Sequence, residues 1–430
     1  MLFFTYSLKN VGKQDVRYCV KGKYMRILLI GNGFDLMHDL PTKYENFVHT
    51  IDFLKRYYTS DMKTVGSILG NAQLQEVDKW ISRCYSRYKA GWDQSPVSDE
   101  DLKKLINNAT KNMWFSYLSE SLDEDLGWID FEKEVAFVVR TLTEVLNNCD
   151  DPMLKSILKI REKSSMHIMR KFDFFHEHYD IDAMFAGNGL YRKVKDDFLW
   201  EYPKGSGVMH LDKGAVISKL YAALKELAFL LKEYLRIFVE EPLDILIREN
   251  LVQPNPMFGK DDYIVSFNYT NIYEKLYKVN PGVVMHIHGD LAGDIVLGIN
   301  PDENDELNSV DTSFLQFKKY YQRVRYGTDV NYLQFVKMLK VNKKMQDDWC
   351  LTVVGHSLDA TDKDILMELF DIPRILTILY HDEDKICDFM KNIITMYGKA
   401  GLDRLRTQNS LNFYPLIATA PMAERDSQAN

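Results

Sequence analysis

Ile27-Leu28-Leu29-Ile30-Gly31-Asn32-Gly33-Phe34-Asp35-Leu36, continuing through His38-Asp39-Leu40-Pro41-Thr42, is an unbroken aliphatic run that ends in Gly-x-Gly. A run of that length without alternation reads as a strand buried on both faces, and the glycines mark an abrupt turn into a helix. Such a turn can seat a phosphate, because two glycines leave backbone N–H groups uncovered and a following helix aims its positive end at the ligand. Tight strand-to-helix connections also want glycine for steric reasons alone, so the rest of the chain has to decide.

Downstream, Tyr44, Phe47, Val48, Ile51, Phe53 and Leu54 have helical spacing, and helical patterning then dominates for some two hundred residues. Gly91 to Glu100 reads as a loop, with Ser98 and Asp101 as a capping pair. Helices are predicted over Asp101 to Ser121, Phe131 to Asn147, Met153 to Tyr179 and Ala215 to Glu240, with a long irregular loop from Ala186 to Lys213 over a site. At Asp262 the texture changes. Tyr263 to Phe267, Val283 to Ile287, Ile295 to Leu297, Trp349 to Val354 and Arg374 to Tyr380 read as strands. Helices are expected from Asn271 to Leu276, Phe314 to Arg323, Tyr332 to Leu339, from Thr361 onward and from Glu383 to Tyr397. Strands alternating with helices imply α/β architecture with a Rossmann-like parallel sheet. The economical topology puts Met25 to Ile30 in that sheet. Residues 25–60 and 255–415 then form a nucleotide-binding domain, and 61–254 a large helical insertion. Residues 1–24 read as a flexible extension or the product of an upstream start, since Met25 directly precedes the first strand, and 416–430 as a disordered tail.

The 430 residues can bury a substantial core, and 46% hydrophobic with 27% charged residues is ordinary for a folded soluble protein. With 54 basic and 62 acidic side chains the net charge is -8, so no global basic field gathers a nucleic acid. Five scattered cysteines, Cys19, Cys84, Cys149, Cys350 and Cys387, have no C-x-x-C spacing and read as reduced thiols of a cytoplasmic protein. No stretch is apolar enough to span a membrane. Homo-oligomerisation stays open.

Four stretches fall at predicted carboxyl ends of strands, where open α/β sheets bind ligands: the opening turn, Asn268-Tyr269-Thr270, His286-Ile287-His288-Gly289-Asp290 and Gly355-His356-Ser357-Leu358. Asn268 at a strand-to-helix junction is either a turn amide or a group that bonds a ribose hydroxyl or orients water. His286 and His288, two apart on a strand, would face one side. A metal pair there lacks a third ligand at recognisable spacing, so no metal site is assigned. A single general base needs less, and His288 is preferred because Gly289 lets a ligand come close, leaving His286 structural. Gly355-His356-Ser357-Leu358-Asp359 departs from the G-x-S-x-G elbow of serine hydrolases where Asp359 replaces the second glycine. A turn contacting a nucleotide through Gly355 and Ser357 fits better. Asp130 and Glu132 in Trp128-Ile129-Asp130-Phe131-Glu132 read as acids at a helix start that could also reach a ligand.

Taken together, these residues resemble the bacterial abortive-infection AbiH family: Gly31-Asn32-Gly33-Phe34-Asp35-Leu36 with Leu40-Pro41-Thr42 and Tyr44, Trp128 to Glu132, Phe267-Asn268-Tyr269-Thr270, His286-Ile287-His288-Gly289, and Gly355-His356-Ser357-Leu358 with Asp362. That family is in turn distantly similar to the sirtuin-like fold. Gly31, Gly33 and Pro41 would match its glycine-rich turn, Asn268 its Asn-bearing strand end, and His288-Gly289 its His-Gly pair. The resemblance implies an anti-phage protein that binds a nucleotide, with NAD as ligand or substrate and a phage-derived activator as partner. It makes His288 and Asn268 the catalytic candidates. Gly31, Asn32, Gly33, Phe34, Asp35, Pro41, Thr42, Tyr269, Gly289, Gly355, Ser357 and Asp362 become the nucleotide-binding set. With no zinc-ribbon cysteines, hydrolysis of NAD at the N-glycosidic bond is the implied chemistry. Asp35 and Asp39 depart from the sirtuin-like turn. A carboxylate beside a pyrophosphate repels it unless it points away, bonds ribose hydroxyls or meets a cation. A non-catalytic nucleotide or phage-component sensor is the alternative reading, and a metal-dependent nuclease or nucleotidyl transferase using Asp35 a further one.

Overall fold

The computed structural model describes residues 25–123, 131–147, 168, 171–172, 174–179, 190–194, 198–201, 209–260, 263–299, 313–341, 349–408 and 410–416. The expected N-terminal extension and nearly all of the expected tail lie outside them.

Six strands form one parallel sheet: β1 (Met25–Ile30), β6 (Tyr263–Ser266), β7 (Val284–His286), β8 (Trp349–Val354), β9 (Ile375–Tyr380) and β10 (Asn412–Pro415). Their spatial order is β10-β9-β8-β1-β6-β7. Taken in chain order, the strands sit 6-5-4-1-2-3 across the sheet. That is the doubly wound Rossmann order, with the topological switch between β1 and β8. Strand β1 is central, pairing Ile30 with Ser266 on one side and with Val354 on the other. It is buried on both faces. Leu28 and Ile30 join one apolar core, Ile27 and Leu29 the other, as the period of two requires.

The second of these cores packs helices α13 (Val330–Val341), α14 (Lys363–Phe370) and α15 (Lys385–Gln408) against the sheet. The first is continuous with the helices that separate β1 from β6. After α1 (Asn32–Leu36) come α2 (Tyr44–Tyr57), α3 (Val65–Leu69), α4 (Ala72–Val77), α5 (Lys79–Trp92), α6 (Asp99–Lys111), α7 (Met113–Asp123) and α8 (Phe131–Asn147). Short antiparallel pairs follow, β2 (Phe175–Tyr179) with β3 (Leu190–Val194) and β4 (Leu199–Glu201) with β5 (Met209–Leu211). Helix α9 (Lys213–Leu235) runs into a π-helical turn, Arg236–Glu240, and α10 (Glu241–Arg248). The Asp212 side chain caps α9 by accepting from Ala215 N–H at 2.9 Å. Between β6 and β8 lie α11 (Ile272–Tyr277), α12 (Lys319–Tyr326) and α13.

Several predicted elements are corrected. The expected helix from Asp101 to Ser121 is broken at Asn112, whose Oδ1 accepts from Phe115 N–H at 2.9 Å and so starts α7 as a new helix. The loop expected from Gly91 is shorter, because α5 continues to the buried Trp92. Of the helix expected from Met153 to Tyr179, residues 153–167 lie outside the described residues, and Phe175–Tyr179 forms strand β2 instead; the Ala186 to Lys213 stretch expected to be irregular contains β3, β4 and β5. Ile295 to Leu297 is not a sheet strand. Gln322 takes the place of a neighbouring strand, with Oε1 accepting from Leu297 N–H at 2.9 Å and Nε2 donating to Leu297 O at 3.0 Å. Strand β10, at the sheet edge, had no counterpart in the sequence reading.

Candidate functional site

The opening turn is shaped by a backbone crossing. Gly31 N–H donates to Val354 O at 3.1 Å and Gly33 N–H to Gly355 O at 2.8 Å, so the exit of β8 lies directly on the turn. A Cβ on Gly33 would stand 2.6 Å from Gly355 Cα, and Gly355 itself has φ +66°. Glycine is required on both sides of this crossing. The Gly31 and Gly33 N–H groups are thus turned to β8. Asn32 and Thr42 close the turn on each other, Thr42 Oγ1 donating to Asn32 Oδ1 at 2.6 Å. Phe34 is fully buried against Phe258, Tyr273 and Tyr277, and the Pro41 carbonyl accepts from Tyr234 Oη at 2.8 Å. Neither lines the pocket. Asp39 pairs with Arg83 at 3.0 Å and with Arg87, both on α5, and so points away from it.

Asp35 is buried under the turn, where Asn268 Nδ2 donates to its Oδ1 at 2.9 Å and Thr270 Oγ1 to its Oδ2 at 2.7 Å. Burial pushes its pKa up to about 8; the two hydrogen bonds oppose the shift, and Glu240 and Glu274 add to it. Asn268 Nδ2 also donates to Gly31 O at 3.1 Å. Both amide hydrogens are thus committed, and Oδ1 is the atom left to accept from a ligand.

The two histidines of the His-Ile-His stretch have different partners, because β7 ends at His286 and its alternation goes no further. His286 Nδ1 lies 2.9 Å from Asn268 O and its Nε2 2.8 Å from Glu274 Oε1. Burial opposes its charge, but Glu274 outweighs it and raises the pKa. Gly289 does not open a path to a ligand. Its φ is +78°, and a Cβ there would meet Asp294 O at 2.0 Å.

His288 is buried with Nε2 3.3 Å from Asp362 Oδ1. His356 Nε2 lies 3.5 Å from Asp362 Oδ2, while its Nδ1 accepts from Leu358 N–H at 2.9 Å. The His356 lone pair is therefore spent on the backbone, whereas His288 Nε2 is buried with no hydrogen-bond partner among the described residues, Asp362 Oδ1 being bonded by Lys319. Lys319, at the first turn of α12 and only 2% exposed, donates to Asp362 Oδ1 at 2.9 Å and pairs with Glu132 Oε1 at 2.6 Å. Burial disfavours the charge on Asp362, but Lys319 and then His288 hold its pKa well below the usual carboxylate range. The Lys319 ammonium is held charged by Asp362 and Glu132 against its own burial. Burial, followed by Lys319, lowers His288 to about 4, so the imidazole is neutral at physiological pH.

These groups meet in a pocket of about 430 Å³ at the carboxyl ends of β1, β6, β7 and β8, within the size range of small-molecule sites. Of the residues singled out from the sequence, Gly31, Asn32, Gly33, Asp35, Thr42, Asn268, Tyr269, His288, Gly355, Ser357 and Asp362 line it. Phe34, Pro41 and Gly289 do not. Glu132 lines it too, while Trp128 and Asp130 lie outside the described residues. The opposite wall is apolar and comes from the helices: Leu231 and Leu235 of α9, Phe131 of α8, and Tyr44 of α2, whose ring stacks on Phe131 at 5.2 Å. The sequence reading missed Lys319 and the committed role of His356. His356 lay inside a quoted motif, but no local pattern marks Lys319. Among the described residues, no group of three His, Cys, Asp or Glu could hold a metal ion, and no helix is long and apolar enough to cross a membrane.

The family model described as bacteriophage abortive infection AbiH matches residues 27–378, from the first strand to the fifth strand of the sheet. The chain belongs to the AbiH family. Every pocket-lining residue lies within that span. This AbiH chain is thus placed in a phage-defence family with a Rossmann-like α/β sheet. No curated protein and no solved structure matches it.

Proposed function

We propose that this AbiH protein acts in abortive infection by binding a nucleotide in the pocket at the strand ends and hydrolysing NAD at its N-glycosidic bond. The observation that carries the reading is that a neutral His288 and Asn268 line one pocket at the strand ends of a Rossmann-ordered sheet, where nucleotides bind. His288 Nδ1 takes the hydrogen bond, and then the proton, of a ribose hydroxyl as positive charge develops at C1′. The bond from C1′ to the ring nitrogen breaks with its electron pair going to nicotinamide. A water that donates a hydrogen bond to Asn268 Oδ1 adds at C1′ and loses a proton, His288 returns its proton to the ribose oxygen, and one net proton leaves to solvent. Products are ADP-ribose, nicotinamide and one proton. In this reading residues 61–254 are an insertion over the strand ends, and the chain works in the cytoplasm.

The purified protein, with lysate from phage-infected cells as the source of activator, is expected to consume NAD and release nicotinamide. His288→Ala and Asn268→Ala should each stop this while the circular dichroism spectrum stays native. Undiminished turnover in both variants would overturn the assignment. The helical wall of Phe131, Leu231 and Leu235 favours a second reading, a sensor whose helices feel the ligand. Calorimetric titration with NAD, ADP-ribose and nucleoside triphosphates separates the two, because a sensor binds tightly and forms no product.

A further inference from the structure

The charges that face the pocket do not balance. Glu132 and Asp362 both line it, whereas the ammonium that joins them, Lys319, stands outside the lining and is only 2% exposed. Lys319 Nζ lies 2.6 Å from Glu132 Oε1 and 2.9 Å from Asp362 Oδ1, so one positive charge is shared between two carboxylates. Glu132 Oε2 is buried with no hydrogen-bond partner among the described residues. The wall beside it is aromatic. Tyr44 stacks on Phe131 at 5.2 Å, and Tyr44 and Tyr269 both stand close enough to feel the Glu132 charge. We propose that the pocket selects its ligand by the positive charge of the base, Glu132 and Asp362 receiving a cationic pyridinium N-riboside in preference to a neutral ring of the same shape.

A carboxylate withdrawn from water is costly until a counter-charge meets it. The other groups near the pair do not supply one. His288 is neutral, its pKa lowered to about 4 by burial and then by Lys319. His356 spends Nδ1 on Leu358 N–H at 2.9 Å and so carries a single ring hydrogen. Arg323, whose charge bears on His288, pairs with Asp364 and lies 3.9 Å from Asp329. Lys43, at the start of α2, reaches over the Trp80 ring at 4.8 Å. Burial raises the Glu132 pKa against the pull of Lys319, and Asp362 adds to the rise, as befits a carboxylate for which a shared ammonium is not enough. A planar cation meets both needs. It brings the missing charge to Glu132 and Asp362, and its face can lie on the aromatic wall, where a cation gains more than a neutral ring. A neutral ring of the same outline has the apolar contact alone and leaves the carboxylate desolvated.

The selection rests on the reading that the nicotinamide end of NAD enters this pocket, but it is measured by binding and needs no turnover. The probes are carbocyclic nicotinamide riboside, in which a methylene replaces the ribose ring oxygen so that the glycosidic bond is not hydrolysed, and two neutral counterparts, its 1,4-dihydro form and the carbocyclic benzamide analogue. Calorimetric titration of the full chain at neutral pH should give the cation a Kd at least about tenfold below that of either neutral compound. Glu132→Gln keeps the shape and removes the charge. With native circular dichroism, it should weaken the cation by about tenfold and leave the neutral probes within roughly threefold. Equal affinity for cation and neutral probes in the wild type overturns the proposal, as does a preference unchanged in Glu132→Gln or a failure of all three probes to bind. If Glu132→Gln does not fold, the three probes on the wild type decide alone. A preference for the cation in a protein that never consumes NAD would sink the hydrolase reading and leave the selection standing. NAD turnover inhibited equally by cation and neutral probes would do the reverse.

Discussion

Asn268 Nδ2 donates to Asp35 Oδ1 at 2.9 Å, joining the end of β6 to the carboxyl under the first turn across 233 residues of sequence. This contact explains an acid where an anion site was expected. Asp35 is turned inward, and with a pKa near 8 it is largely protonated at neutral pH. Its folded pKa lies above the unfolded value of 3.8, so between about pH 4 and pH 8 the native state holds one proton that the unfolded chain has lost. Stability then falls with rising pH by about 1.4 kcal/mol per unit across that window on account of this group. Asp35→Asn mimics the neutral acid and should remove the slope. Urea melts at pH 6 and pH 8 are expected to show a variant that gains on the wild type as pH rises, and a constant difference would contradict the assignment.

His38 works in the opposite direction. It packs edge-on to Phe34 at 5.3 Å, and burial, with Arg87 adding to it, lowers its pKa to about 4. Because the folded value lies below the unfolded 6.5, the unfolded chain binds the extra proton between pH 4 and 6.5, and stability is lost as pH falls through that window. His38→Leu should therefore lose less stability between pH 7 and pH 5 than the wild type does, by roughly 1–2 kcal/mol for one proton. Thermal melting of the two proteins at both pH values checks it.

What the sequence could carry was local. The aliphatic run at Ile27 to Ile30 and its glycines announced a buried parallel strand, and Trp349 to Val354 and Arg374 to Tyr380 were legible for the same reason: continuous apolar stretches bounded by turn residues. Asn412 to Pro415 was not, since Asn and Pro suit strand interiors poorly and only the edge position tolerates them. Asn112 could not be distinguished from a solvated helix position until its amide was seen to cap Phe115 and donate to Ala223 O. At the site, Asn268, His288 and Asp362 were readable because motifs at strand ends converge. Lys319 was unreadable, because a lysine in a polar helix is ordinarily solvated and only the tertiary fold surrounds it with two carboxylates.

The crossing of Gly33 and Gly355 makes a sharp steric prediction. Gly33→Ala puts a methyl 2.6 Å from Gly355 Cα, backbone that cannot move without shifting β8. Gly355→Ala meets Phe34 N at 2.2 Å and adds a residue with a side chain at φ +66°. Each should cost at least about 1–3 kcal/mol, Gly355→Ala more. By contrast, Gly259→Ala has nothing within 4 Å of the added carbon and should stay within about 0.5 kcal/mol. Urea midpoints of the three variants test the ranking.

The histidines that share Asp362 should differ sharply in function. His356 Nδ1 is committed to Leu358 N–H at 2.9 Å, so its remaining nitrogen carries hydrogen and the ring has no free lone pair. His356→Asn places Oδ1 where Nδ1 accepted, which keeps the turn and should leave NAD turnover within tenfold of wild type. His288→Ala removes the proposed base and, under the hydrolase reading, should lower kcat by about 10²–10⁴. The pH profile follows from the same geometry. With His288 at about 4, kcat/KM should be flat from pH 8 down to about 5 and fall below that as the ring takes a proton and can no longer accept one. Lys319→Met takes away a positive charge that depresses His288, so the acidic limb should move up toward neutrality. A limb already near pH 6.5 in the wild type, unmoved in Lys319→Met, would mean that His288 does not titrate in the environment of Lys319 and Asp362.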